Sequence, residues 1–336
     1  MSDNWPRLEP DRDSSTFAYL HLASQMLGKL RVAHAPWVNH GWHVTLLPVA
    51  EGLAMPPLAS GGLRFELVMD LCSHVISLRT SSGVTDSVPL GGGTIAGLHR
   101  SLVAMLDRHG LVSSFHGLPN EIPGALAFAS DETDRPYRRE SAEALRDALA
   151  AMVPVFERFR AGFLGKASPV HFFWGSFDLA VTRFSGRAAP LHPGGVPGLP
   201  DAVTQEAYSH EVSSFSGHAA PAHPGGIPGL PDRITREAYS HEVSSAGFWP
   251  GGVTAAEPIF YSYAYPEPDG FRTARIAPSS SGFDAQLGEF VLPYDEVRRS
   301  SRPEEELTTF LQSTYDAAAN LGGWDRGALE REPVAP

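Results

Sequence analysis

Leu63-Arg64-Phe65-Glu66-Leu67-Val68-Met69-Asp70 decides the fold class. Leu63, Phe65, Leu67 and Met69 alternate with Arg64, Glu66, Val68 and Asp70, the period of two that marks a half-buried strand. The chain then continues as His74 to Thr80 and Val84 to Leu90, which reads as a meander turning near Gly83. After Gly91-Gly92-Gly93 the period changes to that of a helix, from Thr94 to His109. Ile95, Leu98, Leu102, Met105 and Leu106 form its apolar stripe, Thr94 its N-cap and Gly110 its stop.

Three further helices follow from the same reasoning. One spans about Ser15 to Val32 and one about Arg138 to Leu164, where Pro154 is expected to kink or split it. The last spans Glu304 to Leu321, preceded by Pro303, acidic in its first turn and ended by Gly322-Gly323. Strands are expected at Trp42 to Ala50, Val170 to Phe184, Ile259 to Tyr265 and Glu289 to Leu292. Strands and helices come in runs and not in strict alternation. The expected fold is therefore α+β, a mixed or antiparallel sheet with helices packed on it.

Two halves echo each other, residues 1–135 and 136–330. Each reads helix, Leu-Gly-Lys (Leu27-Gly28-Lys29; Leu164-Gly165-Lys166), a Val-to-Trp step (Val38 to Trp42; Val170 to Trp174) and strands. Each ends on a Pro-containing exit (Val88-Pro89-Leu90; Leu292-Pro293-Tyr294) followed by a helix. Either the chain is pseudo-symmetric or common residues coincide, and a single compact domain stays open.

Phe184 to Ser214 and Phe215 to Ser245 are consecutive copies of 31 residues that differ at six positions: Arg187/His218, Leu191/Ala222, Val196/Ile227, Ala202/Arg233, Val203/Ile234 and Gln205/Arg236. A solenoid needs at least three units to bury a shared core, so this is read as a tandem duplication of a surface loop and its return. Doubling a loop costs only ~0.6 kcal/mol in closure entropy. The start of copy one and the end of copy two are tied to flanking strands. Tyr239, His241 and Glu242 are thus expected to pack, and Tyr208, His210 and Glu211 to belong to a bulge from about Pro193 to Gly226.

The chain has 336 residues, 42% hydrophobic and 19% charged, with a net charge of −12, an ordinary globular balance. A nucleic-acid binder shows a basic face, and none is present here. No run of 18 apolar residues suggests a membrane span, and Met1 to Pro10 does not read as a signal peptide. Cys72 is the single cysteine, so no intrachain disulfide is possible. It is expected to pack as a small hydrophobe. The cytoplasm is the expected compartment.

Several motifs together point further. They are Trp5-Pro6-x-Leu8, Leu20-His21-Leu22, Asn39-His40-Gly41-Trp42-His43-Val44, Pro119-Asn120-Glu121-Ile122-Pro123, Ser168 through Leu179, Ala238 through Gly251, and Leu321-Gly322-Gly323-Trp324. In these the chain, from Trp5 to about Trp324, resembles a bacterial domain-of-unknown-function family, the one numbered 5996. The resemblance implies no activity and brings no catalytic residues. Ala23 and Gly41 stand where family members tend to have Trp, and the second 31-residue copy is extra.

Fourteen histidines offer candidates for chemistry. His40 and His43 flank Trp42, His171 opens Phe172-Phe173-Trp174, and His241-Glu242 follows Tyr239. Converging imidazoles and carboxylates suit acid–base work, because histidine titrates near neutral pH. The candidate pocket, between the halves, is His40, Trp42, His43, Asn120, Glu121, His171, Trp174, Tyr239, His241 and Glu242. No metal is expected, since no His-Glu-x-x-His motif or cysteine pair is present. No cofactor is assigned, and Gly-x-Ser-x-Gly is missing. Two readings stand. One is a protein that binds a small-molecule ligand in an aromatic and histidine-lined pocket, with or without catalysis. The other is a scaffold or interaction module in which the same rings are core. They differ in whether the imidazoles share one site.

Overall fold

The computed structural model describes residues 5–122, 124–190, 240–252 and 255–331. The fold is α+β, built on two antiparallel sheets. The first half begins with helix α1 (Pro10–His34) and the strands β1 (Leu47–Val49), β2 (Gly52–Ser60), β3 (Leu63–Asp70), β4 (Val75–Thr80) and β5 (Thr85–Pro89). These strands lie side by side in chain order. The short β6 (Gly93–Thr94) and β7 (Asp134–Arg135) pair with each other around α2 (Ile95–Arg108). Then come α3 (Arg139–Ala161), β8 (His171–Phe173), β9 (Asp178–Ala188), β10 (His241–Trp249), β11 (Ile259–Tyr265), β12 (Gly282–Asp284) and β13 (Glu289–Pro293). The second sheet has the order β12-β13-β11-β10-β9-β8. Helices α4 (Tyr294–Arg299), α5 (Pro303–Leu321) and α6 (Arg326–Leu329) close the chain.

The alternation in β3 buries Phe65, Leu67 and Met69 as read, and Val68 is buried as well. β2 was hidden by Pro56-Pro57, neither of which has an N–H to donate to a ladder. The register slips between Met55 and Leu58, so the prolines sit in a bulge, where a sheet tolerates them. Four expectations need correction. The stretch from Val170 to Phe184 is not one strand but the hairpin β8–β9, turned through Phe177 at φ 58°. Trp42 to Thr45 form a turn and not the start of a strand, with β1 beginning at Leu47. Of the two outcomes expected at Pro154, a kink or a split, the split does not occur: α3 runs unbroken through an exposed Pro154. Cys72 is exposed, in the β3–β4 turn, where its sulfur accepts from Arg146.

The Leu-Gly-Lys echo also dissolves. Leu27-Gly28-Lys29 lies buried inside α1, whereas Leu164-Gly165-Lys166 follows the end of α3. The Pro exits do correspond, since Pro89 and Pro293 each end a strand that leads toward a helix. One contiguous cluster of buried side chains draws on both sheets and on α1, α2, α3 and α5. α1 is buried on nearly every side, so it carries no clean apolar stripe. Leu46 and Phe172 exchange backbone hydrogen bonds of 2.9 and 2.8 Å, which ties the edge of the second sheet to the entry of the first.

The described ends of the 31-residue repeat are neighbours in the second sheet. Phe184, at the start of copy one, pairs with Val243, near the end of copy two. Tyr208, His210, Glu211 and Tyr239 lie outside the described residues.

Candidate functional site

Register assigns the side chains of the second sheet to two faces, because aligned partners on antiparallel strands point the same way. Leu179, Val181, Phe248, Phe260 and Leu292 form the apolar face. Arg183 marks the side of α3 and α5, its guanidinium 3.5 Å from the Phe159 ring centre and 4.3 Å from that of Tyr315. The opposite face is polar and aromatic, and it reads as rows across the strands. Asp178 stands beside Trp249. The next row is His171, Ala180, Gly247, Tyr261 and Val291. The row after runs Thr182, Ser245 and Tyr263, with the Thr182 and Ser245 hydroxyls 2.9 Å apart, and Glu289 stands one residue past Phe290, the last residue of β13 paired with β11. Small residues thus form a floor, Ala180, Ser245 and Thr182, between His171 on one side and tyrosines on the other, with Gly247 lying under Tyr261.

At one end of this face Tyr261 reaches across β10 to donate a short hydrogen bond to Asp178 Oδ2. Only glycine permits the crossing. A Cβ on Gly247 would lie 2.3 Å from the Tyr261 oxygen and 2.2 Å from the Leu179 carbonyl. Ser176 donates to Asp178 Oδ1 at 2.5 Å. Burial pushes Asp178 up to about 6, against those two hydrogen bonds. Glu289 is pushed up to about 8, first by burial and then by the charges of Asp178 and Asp284. The residue as a whole keeps some exposure, but its Oε2 is enclosed without a hydrogen-bond partner, as is the Trp249 indole N–H. Trp249 stacks on Tyr261 with ring centres 4.2 Å apart.

At the other end the loop 39–45 of the first half meets the same face. His40 takes a left-handed conformation (φ 61°) and packs on Trp42 (5.2 Å), Phe184 (4.7 Å) and His241 (5.7 Å). Its Nε2 is 2.5 Å from the Lys166 ammonium, which also lies over the Phe184 ring. Trp42 stands edge-on to His171, 6.4 Å between centres. Burial holds His171 down to about 3, with Arg160 adding to the effect, so its ring is neutral. Its Nδ1 meets Thr45 Oγ1 at 3.0 Å, and its Nε2 has no partner. Glu242 is bound by Arg187 at 2.6 Å and Ser185 at 2.8 Å at the rim.

The structure therefore gathers His40, Trp42, His171 and His241. The other candidates go elsewhere. His43 accepts from the Val38 amide at 3.2 Å and packs on Trp37. Trp174 donates to the Val44 carbonyl at 2.7 Å and lies against Gly28, where a Cβ would come within 2.0 Å of its Nε1. Asn120 is sealed against α1: Lys29 donates to its Oδ1 at 2.7 Å, and Gln25 both donates to its carbonyl and accepts from its amide. Glu121 adopts φ 58° with its carboxylate over Gly175. Asn120 and Trp174 serve the polar ladder His21, Gln25 and Lys29 of α1. His21 is stacked on Phe177, bonded to the Gly175 carbonyl at 2.7 Å, and held by burial down to about 4. Next to it a recess with about 20 Å³ open to a water molecule is bounded by Ser176 and Trp249.

Asp178, Tyr261, Glu289, Lys166 and Phe184 escaped the sequence reading. Their signal was weak but present: Tyr261, Tyr263 and Tyr265 share one strand face, and a glycine interrupts the neighbouring strand at Gly247. Among the described residues no three His, Cys, Asp or Glu side chains are grouped to hold a metal ion. No described helix is long and apolar enough to cross a membrane. The family model DUF5996, described as a family of unknown function, matches residues 5–215 and 212–331. The first match ends and the second begins at the junction of the two 31-residue copies. No curated protein and no solved structure matches the chain.

Proposed function

We propose, for a chain that belongs to the DUF5996 family, that it binds a small polar molecule on the polar face of the second sheet. The observation that carries this reading is that three enclosed polar atoms without hydrogen-bond partners, His171 Nε2, Glu289 Oε2 and Trp249 Nε1, lie on that one face, while the four others among the described residues, on His116, Asn120, Arg183 and Arg298, lie elsewhere. Leaving a buried donor or acceptor unpaired costs about 1–3 kcal/mol. Such atoms recur where a ligand or bound water completes them. A floor of small side chains between aromatic walls suits a ligand with a flat or ring-shaped body. Burial raises Asp178 to about 6 and Glu289 to about 8, one on each side of neutral pH, which equips the same face for acid–base work. The rival reading, a scaffold whose rings are core, gives no reason to gather unpaired polar groups on one face.

A net charge of −12 favours a small molecule over nucleic acid as the partner. The cytoplasm is the compartment we infer, from a lone, exposed thiol at Cys72. We ascribe the 31-residue repeat to an in-frame duplication, because its outer ends pair as neighbouring strands.

The test is a thermal-shift panel of metabolites on the full chain and on Ser245→Leu, which fills the floor. A chemical class that raises the melting temperature of the parent and not of the folded variant supports the reading. No shift with any compound, or equal shifts in both proteins, would reject it.

A further inference from the structure

Resting on that ligand-binding reading, a narrower inference concerns which atom reads the ligand. His171 is buried, and only one of its ring nitrogens has a partner. Which nitrogen carries the proton follows from Thr45. A hydroxyl has a single proton to donate. Thr45 Oγ1 lies 3.2 Å from the Trp42 carbonyl, a group that can only accept. With its proton committed there, Thr45 meets His171 Nδ1 as an acceptor, so Nδ1 bears the hydrogen. The opposite assignment would leave an N–H enclosed without a partner at Nε2. Orphaned N–H groups are rarer in proteins than under-satisfied acceptors. The charged group acting on this ring is the Arg160 guanidinium, itself bonded to the Ser168 carbonyl, and a positive neighbour opposes a second proton.

We propose that His171 presents a bare Nε2 lone pair as the hydrogen-bond acceptor for a hydroxyl or N–H of the ligand, and that Thr45 is the residue that fixes its tautomer. His171 stands directly beside Ala180, so it borders the small-residue floor. A ligand lying on Ala180, beside the Tyr261 ring that covers Gly247, would bring a donor to its edge. This makes the site selective for a donor at that position. An analogue lacking the donor leaves the lone pair buried and unpaired, the situation that discriminates most strongly between near-identical ligands. Thr45 does not touch the ligand in this account. It acts through the ring, as the partners of functional histidines commonly do.

The experiment is nitrogen NMR of the full chain labelled at histidine, with His171→Asn giving the assignment. At neutral pH His171 should show a protonated Nδ1 and an unprotonated Nε2. Thr45→Val should lose that selection while leaving the chain folded, and Thr45→Ser should restore it. A merely structural threonine would give no such rescue. The probes are phenol and anisole, rings of similar shape that differ in one donor. Phenol should shift the Nε2 resonance and anisole should not. A proton on Nε2, or an Nε2 that responds equally to both probes or to neither, overturns the inference. A wrong tautomer leaves the metabolite panel free to succeed, so the two readings fail separately.

Discussion

Glu289 shows at the scale of one residue what the site asks of the fold. In the sequence it is one acid near a strand start. In the structure burial raises its proton affinity, and Asp178 adds to this from three strands away, a relation that no local pattern encodes. A carboxyl whose folded pKa lies above the unfolded value stabilises fully below the unfolded value. That contribution is lost as pH rises toward about 8. His21 and His171 act in the opposite sense. Their folded pKa values, about 4 and about 3, lie below the ordinary histidine value, so their contribution is complete above it and lost as the pH falls. The two kinds of group offset each other between about pH 5 and 6.5; above that the histidines are neutral in both states and Glu289 acts alone, so the parent's stability should fall toward pH 8. Glu289→Gln removes one side of the balance. We expect the variant to gain on the parent by about 2–3 kcal/mol more at pH 8 than at pH 5, by chemical denaturation. A difference independent of pH would show that Glu289 is an ordinary exposed acid.

Elements were legible wherever local periodicity sets them. α2 begins and ends close to where its stripe and caps predict, and the Thr94 hydroxyl accepts from the Gly97 amide at 3.0 Å. Thr94→Ala should therefore cost about 1 kcal/mol in unfolding free energy. A change below a few tenths would mean that the β6–β7 ladder holds that end without the cap. Elements were illegible where tertiary structure overrides the local signal. β2 carries two prolines that only a bulge accommodates. β10, the central strand joining β9 and β11, mixes serines, glycine and aromatics because its two faces do different work. α1 keeps polar residues inside, and each of His21, Gln25 and Lys29 finds a partner on a loop far away in sequence. The histidine candidates were half legible for the same reason. Aromatic company marks burial, but only the tertiary arrangement decides that His40, His171 and His241 meet around Trp42 and Phe184 while His43, in the same loop as His40, turns to Trp37.

For the whole molecule the decisive arrangement is the junction of the two sheets. The Leu46–Phe172 bridge brings the loop 39–45 of one half onto the polar face of the other. The proposed site therefore draws His40, Trp42 and Thr45 from the first half and His171, Phe184 and His241 from the second. The most direct measurement is backbone and side-chain NMR of the full chain during a fragment screen, with perturbations mapped residue by residue. The account predicts that binding fragments perturb Thr45, His171, Ala180, Ser245, Gly247 and Tyr261 together and leave the apolar face of the same sheet unmoved. Perturbations that gather at Asn120, Trp174 and α1 instead, or fragments that bind without touching His171 and Tyr261, would contradict it.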